Sequence, residues 1–274
     1  MKQIIFPFVR KLFALFIMVI CFAAGSAHAE NRLVIGTGDA IPPYFISENN
    51  SGMEMEILQE ALRISNYEVI PKYLPLARTF IEFENGILDG VTNVKEGTVK
   101  KGHLSDTVIR FHNCAVSLEK NNFPIILPLQ YLTDKRVAAF QRASDLLGEE
   151  FGEMAKKNIR YREIADQMVQ INLLFTGRTD FIVMDRNIFA YYRKKAEKEV
   201  ERGHKPRMVD AKQMVIYHEI FPPTDYCFAF RKKSVRDAFN LGLKIIRDNG
   251  TYARIMKKYE DMMVVNEYET PDPQ

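Results

Sequence analysis

Residues 32–93 read RLVIGTGDAIPPYFISENNSGMEMEILQEALRISNYEVIPKYLPLARTFIEFENGILDGVTN. RLVIG (32–36) is a short apolar run of strand type. In residues 52–66, Met53, Ile57, Leu58, Ala61 and Leu62 recur at helical spacing and share one face. YEVIPKY (67–73) returns as a strand, and LARTFIEFEN (76–85) as a second helix. LDGVTN (88–93) is a third strand that ends in polar residues. Strand, helix, strand, helix, strand implies a mostly parallel sheet with helices packed on it.

The pattern recurs further along. RVAAF (136–140), IRYREI (159–164) and DFIVMD (180–185) read as strands, with helices over 143–157, 165–176 and 187–198. The stretch 194–207, KKAEKEVERGHKPR, mixes both signs of charge and reads as a solvated helix end and loop. YCFAFRK (226–232) is a last strand, followed by helices over 234–248 and 250–260. The tail YETPDPQ (268–274) reads as disordered. No Pro/Gly-rich linker separates the two βα sets, which points to lobes joined by strands.

Outside these sets lies the N-terminus. Lys2, Arg10 and Lys11 precede an apolar run, Leu12 to Ala24, which leads to Ala27-His28-Ala29. Positive residues, an apolar core and an A-x-A-type site are the order of a cleavable secretory signal. The core of about 13 residues is short of the ~20 needed to span a bilayer. Residues 1–29 are therefore expected to be a signal peptide, and the mature chain to be periplasmic. The leader holds three of the 38 Lys and Arg and none of the 35 Asp and Glu, so the mature chain carries 35 of each. That balance gives no support to nucleic acid as a partner. A hydrophobic fraction of 47% fits a folded protein.

Cys114 and Cys227 remain after the leader, each in an apolar run (CAVSL and YCFAF). The compartment permits a disulfide, and apolar surroundings equally suit buried free thiols. No CxxC pair or His cluster has metal-ligand spacing, so no metal and no cofactor are expected.

In open α/β sheets, ligands bind beyond the carboxyl ends of the strands. Here polar residues collect at four such ends. Strand 32–36 runs into Asp39 and then Pro42-Pro43-Tyr44-Phe45. Strand 89–91 runs into Thr92-Asn93. Strand 136–140 leads to Arg142 and Ser144, and strand 180–184 to Asp185. Asp185 emerges from an apolar wall and suits an ammonium group, or caps the helix after it. Thr92 and the backbone at Asn93 suit a carboxylate. So do Ser144 at a helix start and the positive charge of Arg142 beside it. Tyr44 and Phe45 can present an aromatic face to a ligand, or Phe45 can be core. Arg78 can reach the cleft or only cover its surface.

At these residues the chain resembles a known family, the periplasmic solute-binding proteins of polar amino-acid ABC transporters (family 3 extracellular solute-binding proteins). PPYFISENNSGMEMEILQEAL (42–62) is similar to that family's aromatic loop and first long helix. ENGILDGVTNV (84–94) is similar to its Thr-bearing segment, and TGRTDFIVMDRNIFAYY (176–192) to the segment whose strand-end Asp takes the ligand's amino group. FAFRKKSVRDAFNLGLKIIRDNGTYARIMKKYED (228–261) is similar to its C-terminal stretch. The resemblance spans roughly residues 32–261.

It implies a two-lobed periplasmic binding protein fold (type II), each lobe a mostly parallel sheet flanked by helices, joined by two hinge strands. Lobe 1 would hold 30–113 plus 229–274, and lobe 2 would hold 114–228. Cys114 and Cys227 would then lie in or near the hinges. It further implies Asp39, Tyr44, Thr92, Ser144 and Asp185 as ligand contacts, and a cleft that closes on a small polar solute, an amino acid or a related molecule. The partner would be an inner-membrane ABC permease or, alternatively, a sensor receptor, and the protein a monomer without catalytic residues.

One departure bears on the ligand. The family often has an Arg, a carboxylate clamp, where this chain has Gly97, and SDTVIRF (105–111) lacks its usual Pro-aromatic pair. Arg78, Arg110 or Arg142 would have to take the clamp's place. The remaining alternative is a dehydratase on the same fold, with Asp185 or His103 as acid/base group. The sequence offers it no paired carboxylates and no nucleophile–base pair.

Overall fold

The computed structural model describes residues 31–38, 41–201 and 210–263. The expected signal peptide, Asp39, the tail 268–274 and part of the 194–207 stretch lie outside the described residues.

The opening stretch folds as its periodicity requires. Strand β1 (Arg32–Gly38) leads through an aromatic loop to helix α1 (Met53–Arg63). Strand β2 (Glu68–Leu74), helix α2 (Leu76–Glu84) and strand β3 (Gly90–Val94) follow. Met53, Ile57, Leu58, Ala61 and Leu62 are all buried on one face of α1. The chain goes on through β4 (His103–Leu104), β5 (Ile109–Phe111) and β6 (Asn113–Leu118). Next come β7 (Val137–Phe140), α3 (Ala143–Leu146), α4 (Glu149–Lys157), β8 (Tyr161–Ile164), α5 (Gln167–Phe175) and β9 (Phe181–Asp185). Helix α6 (Arg186–Glu201), β10 (Val215–His218), β11 (Thr224–Phe230), α7 (Lys233–Asp248) and α8 (Thr251–Met263) complete it.

Helix 143–157 of the sequence reading is two helices. Gly148 has φ +98, outside the helical region, and separates α3 from α4. Asp166 caps α5, its side chain accepting hydrogen bonds from the N–H groups of Met168 and Val169.

The strands form two sheets. The first has the order β2-β1-β3-β11-β4, with β5 also paired to β11; the second has the order β10-β6-β9-β7-β8. In the first, β11 alone runs against its partners β3, β4 and β5, while β1 is parallel to β2 and β3. In the second, β6 alone runs against β9 and β10, while β7 is parallel to β8 and β9. Both sheets are thus mostly parallel, and the one reversed strand in each lies beside a crossing between the sheets. The chain crosses at His112, between β5 and β6, and returns over 219–223, between β10 and β11. Arg110 and Asp225 clamp the β5–β11 ribbon by a two-pronged ion pair, with contacts of 2.6 and 3.0 Å.

Cys114 pairs in register with Met184 in the second sheet, and Cys227 with Val94 in the first. Both thiols are free. Burial pushes the Cys227 thiol up to about 11, and its Sγ donates to the Val94 carbonyl at 3.2 Å. Among the described residues, no helix is long and apolar enough to cross a membrane.

Helices α1 and α7 pack backbone to backbone at Gly242. A Cβ there would lie 2.0 Å from the Ala61 carbonyl oxygen and 2.9 Å from the Ala61 Cα. Neither obstacle is a flexible side-chain end, so the helices must separate to admit a methyl. Gly242→Ala is expected to lower stability by about 1–3 kcal/mol in urea denaturation. An unchanged midpoint would show that the two helices slide freely.

Candidate functional site

Hydrogen bonds of Tyr44 and Lys95 tie the carboxyl-end side of one sheet to that of the other. Tyr44, in the loop after β1, donates its hydroxyl to Asp185 Oδ1 at the end of β9, at 2.8 Å. Lys95, just past β3, donates its ammonium to the Leu146 carbonyl at the end of α3, at 3.4 Å. Strand ends that the sequence marked as polar therefore face one another between the sheets.

Asp185 is 2% exposed. Its Oδ1 also accepts from the N–H of Asn187 (2.9 Å) and of Ile188 (3.1 Å), and its Oδ2 from the N–H of His112 (2.8 Å). It caps α6 and at the same time fastens the first crossing. Burial pushes its carboxyl up against the pull of these four bonds. Three of its four donors are backbone N–H groups that cannot accept, and they reach both of its oxygens, so the carboxylate is the form the geometry holds.

Tyr44 is fully buried, and its hydroxyl also accepts from Asn187 Nδ2 at 3.1 Å. Burial, then the charge of Asp185, raises its phenol well above the usual value. Its ring stacks on Phe111 at 4.0 Å, and Phe111 meets Tyr226 at 4.7 Å. Three rings thus line the crossing, two of them on the β5–β11 ribbon.

Beside them lies a second buried carboxyl, which the sequence reading missed. Glu54 sits in the first turn of α1, and its N–H donates to the Tyr44 carbonyl. Asn93 Nδ2 donates to its Oε1 at 2.9 Å, and the Thr92 hydroxyl donates to Asn93 Oδ1 at 3.1 Å. Its Oε2 is buried without a partner among the described residues. Burial raises its pKa to about 8, and the negative charge of Asp185 adds to the rise. The signal was present in the sequence: Glu54 precedes Ile57 and Leu58 by three and four residues, on the apolar face of α1.

Asn93 reaches Glu54 by adopting φ +56 within β3, and the register of β11 shifts opposite it, between Cys227 and Ala229. Lys95 follows. Its ammonium lies 5.3 Å from the centre of the Tyr226 ring, and burial lowers its pKa. It has no carboxylate partner among the described residues. Lys95 was also passed over in the sequence, where arginines were sought instead.

The three candidate arginines are all engaged elsewhere. Arg78 pairs with Glu82, which also holds Lys72. Arg110 is clamped to Asp225. Arg142 is 59% exposed in its side chain and pairs with Asp145. Phe45 is fully buried in the core. Gly97 has φ +80 with open space around it, so backbone conformation, and not crowding, disfavours an Arg there. His103 is exposed on β4.

The start of α3 holds an anion, and the chain supplies it. The Glu163 carboxylate accepts from the N–H of Arg142 (2.6 Å), the N–H and hydroxyl of Ser144 (2.9 and 2.6 Å) and the Tyr161 hydroxyl (2.9 Å). These donors hold the Glu163 carboxyl below its usual range despite its burial. The described residues contain no group of acids, His and Cys arranged to hold a metal ion.

No protein-family model matches the chain, and no curated protein is significantly similar to it in sequence. Solved structures do share its fold. An ancestral arginine-binding protein bound to glutamine is 20% identical over 85% of this chain and 99% of its own, with a TM-score of 0.63. A histidine kinase sensor domain with similarity to periplasmic binding proteins is 17% identical over 83% of this chain and 95% of its own, also at 0.63. The ancestral amino acid-binding protein AncCDT-1, a precursor of cyclohexadienyl dehydratase, is 18% identical over 86% and 98%, again at 0.63. Two helix-flanked sheets, crossed twice by the chain and matched over nearly the whole length of these structures, give this protein the two-lobed periplasmic binding protein fold.

Proposed function

We propose that this chain is an exported solute-binding protein that captures a small polar solute between its lobes. The solute bears an amine and an acid, as an amino acid or a close relative does. The sequence divides the lobes at 30–113 plus 229–274 and 114–228; because β11 pairs only within the first sheet, we place the second division at the return crossing, 219–223. The leader supports a periplasmic location, and delivery to an inner-membrane ABC permease follows from that setting. The observation that carries the reading is a row of groups that joins the two sheets, from Asp185 through Tyr44, Phe111 and Tyr226 to Lys95. Asp185 accepts from Tyr44 at one end of the aromatic rings, Lys95 lies against Tyr226 at the other, and the Glu54 carboxyl is within electrostatic reach of both Tyr44 and Tyr226. Asp185 and Glu54 suit the ligand's ammonium, Lys95 its carboxylate, and Tyr44, Phe111 and Tyr226 its carbon skeleton. A ligand that touches both lobes favours the closed state by its differential affinity.

The test is mass spectrometry of whatever copurifies with the mature protein, then a thermal-shift panel of amino acids and their decarboxylated amines. A bound solute raises the midpoint by linkage. Lys95→Met should weaken a carboxylate-bearing ligand by about 1–3 kcal/mol, as for loss of a charged hydrogen bond, and spare the matching amine. Arg142→Ala should leave both affinities unchanged. A panel in which no amine or amino acid moves the midpoint would sink the binding reading.

A second reading is favoured by one observation. Glu54, raised to about 8, lies within electrostatic reach of Asp185, and such an unequal pair suits acid/base chemistry. A dehydratase would turn over a prephenate-like substrate, and lack of turnover would leave the binding reading alone.

A further inference from the structure

Arg136, Arg160, Arg162 and Arg178 line one cavity of about 320 Å³ with Ile159 and Tyr161. Arg136 precedes β7, Arg160 precedes β8, Arg162 lies in β8, and Arg178 lies in the turn before β9. Strands β7, β8 and β9 are parallel, so this cavity sits at their amino ends. The ligand cleft lies at their carboxyl ends. The two are therefore at opposite ends of the second sheet.

Charge in this cavity is unbalanced. Arg136 is neutralised by Asp180 and also donates to the Gly177 carbonyl. The guanidinium groups of Arg160, Arg162 and Arg178 make no hydrogen bond and no ion pair among the described residues, although the Asp134 carboxylate lies within electrostatic reach of Arg160 and partly offsets its charge. Three such cations, two from the start of β8 and one from the turn before β9, line one cavity and repel one another. Each presents a planar fork of donors suited to phosphate-type oxygens. Arginine on an edge strand also blocks edge-to-edge pairing, and β8 is an edge. That role accounts for Arg162 but not for Arg160 and Arg178, which lie off the strand. The volume is at the lower end of ordinary small-ligand pockets, ~300–1,000 Å³.

We propose that the Arg136–Arg160–Arg162–Arg178 cavity binds a phosphate-type oxyanion, apart from the solute cleft. Two sources present that chemistry: a free anion and a lipid headgroup. The surroundings accommodate either. Ile159 is 96% exposed beside the arginines, and an adjoining recess of about 370 Å³ shares Arg178 and is lined by Val169 and Leu173.

The experiment uses the mature protein and a variant carrying R160Q, R162Q and R178Q. These side chains are exposed, so the variant should keep the wild-type melting midpoint. The probes are inorganic pyrophosphate, by calorimetry, and vesicles of phosphatidylcholine with and without phosphatidylglycerol, by cosedimentation. The wild type should bind pyrophosphate, more weakly as salt rises, and the variant at least tenfold less. Binding only to the phosphatidylglycerol vesicles, lost in the variant, would identify the headgroup as the source. Binding to neither probe, or equal binding by variant and wild type, would overturn the proposal. The thermal response of the variant to the amino-acid and amine panel should match the wild type, which keeps failure here distinct from failure of the cleft reading.

Discussion

Asp185→Ala should cost an amine-bearing ligand about 2–5 kcal/mol of affinity, the usual loss when one partner of a buried charged hydrogen bond is truncated. The residue is nearly inaccessible and takes four hydrogen bonds, one of them from Tyr44 across the cleft. Its removal also strips the cap from α6 and leaves the His112 N–H without its partner, so stability should fall as well, by about 1–3 kcal/mol. The two effects separate in companion variants. Asp185→Asn keeps an acceptor for the cap but removes the charge, and should lose ligand affinity while recovering much of the stability. Tyr44→Phe removes the link between the sheets but leaves the carboxylate, and should affect affinity less than either. Calorimetry read beside chemical denaturation distinguishes these patterns. An Asp185→Asn variant with wild-type affinity for an amine would remove Asp185 from the site.

How much of this was readable beforehand follows from the range of the interactions. The buried face of α1 and the strands β1, β3, β7 and β9 are set by local pattern, and all appear close to where periodicity puts them. Strands β4 and β5 have two and three residues, too few to show alternation. The break at Gly148 was missed because a single glycine inside a helical pattern is tolerated more often than not. Asp185 was open to two readings, amine site or helix cap, and its cap bonds are made while it also faces Tyr44. The arginines show what a sequence cannot supply. Arg110 is neutralised by Asp225, 115 residues away, and the nest at Arg142 and Ser144 is filled by Glu163. Chemistry named those arginines as clamp candidates, and tertiary pairing took them. Lys95 became visible by the same reasoning in reverse, as a partly buried cation that tertiary structure leaves without an acid.

Glu54→Gln should change how stability depends on pH more than any other single substitution in the cleft. In the unfolded chain this carboxyl ionises near its ordinary value of 4.5, and in the folded protein near 8. Between those values the folded state keeps a proton that the unfolded state has released. Folding stability must therefore fall as pH rises through this window, at up to about 1.4 kcal/mol per pH unit for this one group. Below about 4.5 its contribution is complete, and above about 8 it is gone. The whole effect is roughly 3–5 kcal/mol. Other groups titrate in parallel, so the informative quantity is the difference between variant and wild type. The substituted amide cannot ionise, so the variant should gain on the wild type steadily from about pH 5 to pH 8, whatever fixed cost the amide adds. Urea denaturation at several pH values measures it, and a constant difference would mean that Glu54 is already ionised when folded. The same proton bears on ligand capture. An ammonium group placed near Glu54 favours its ionised form, so binding should release a proton and tighten as pH approaches about 8. Calorimetry in buffers of different ionisation enthalpy reads that proton directly, and its absence in Glu54→Gln would assign it to this carboxyl.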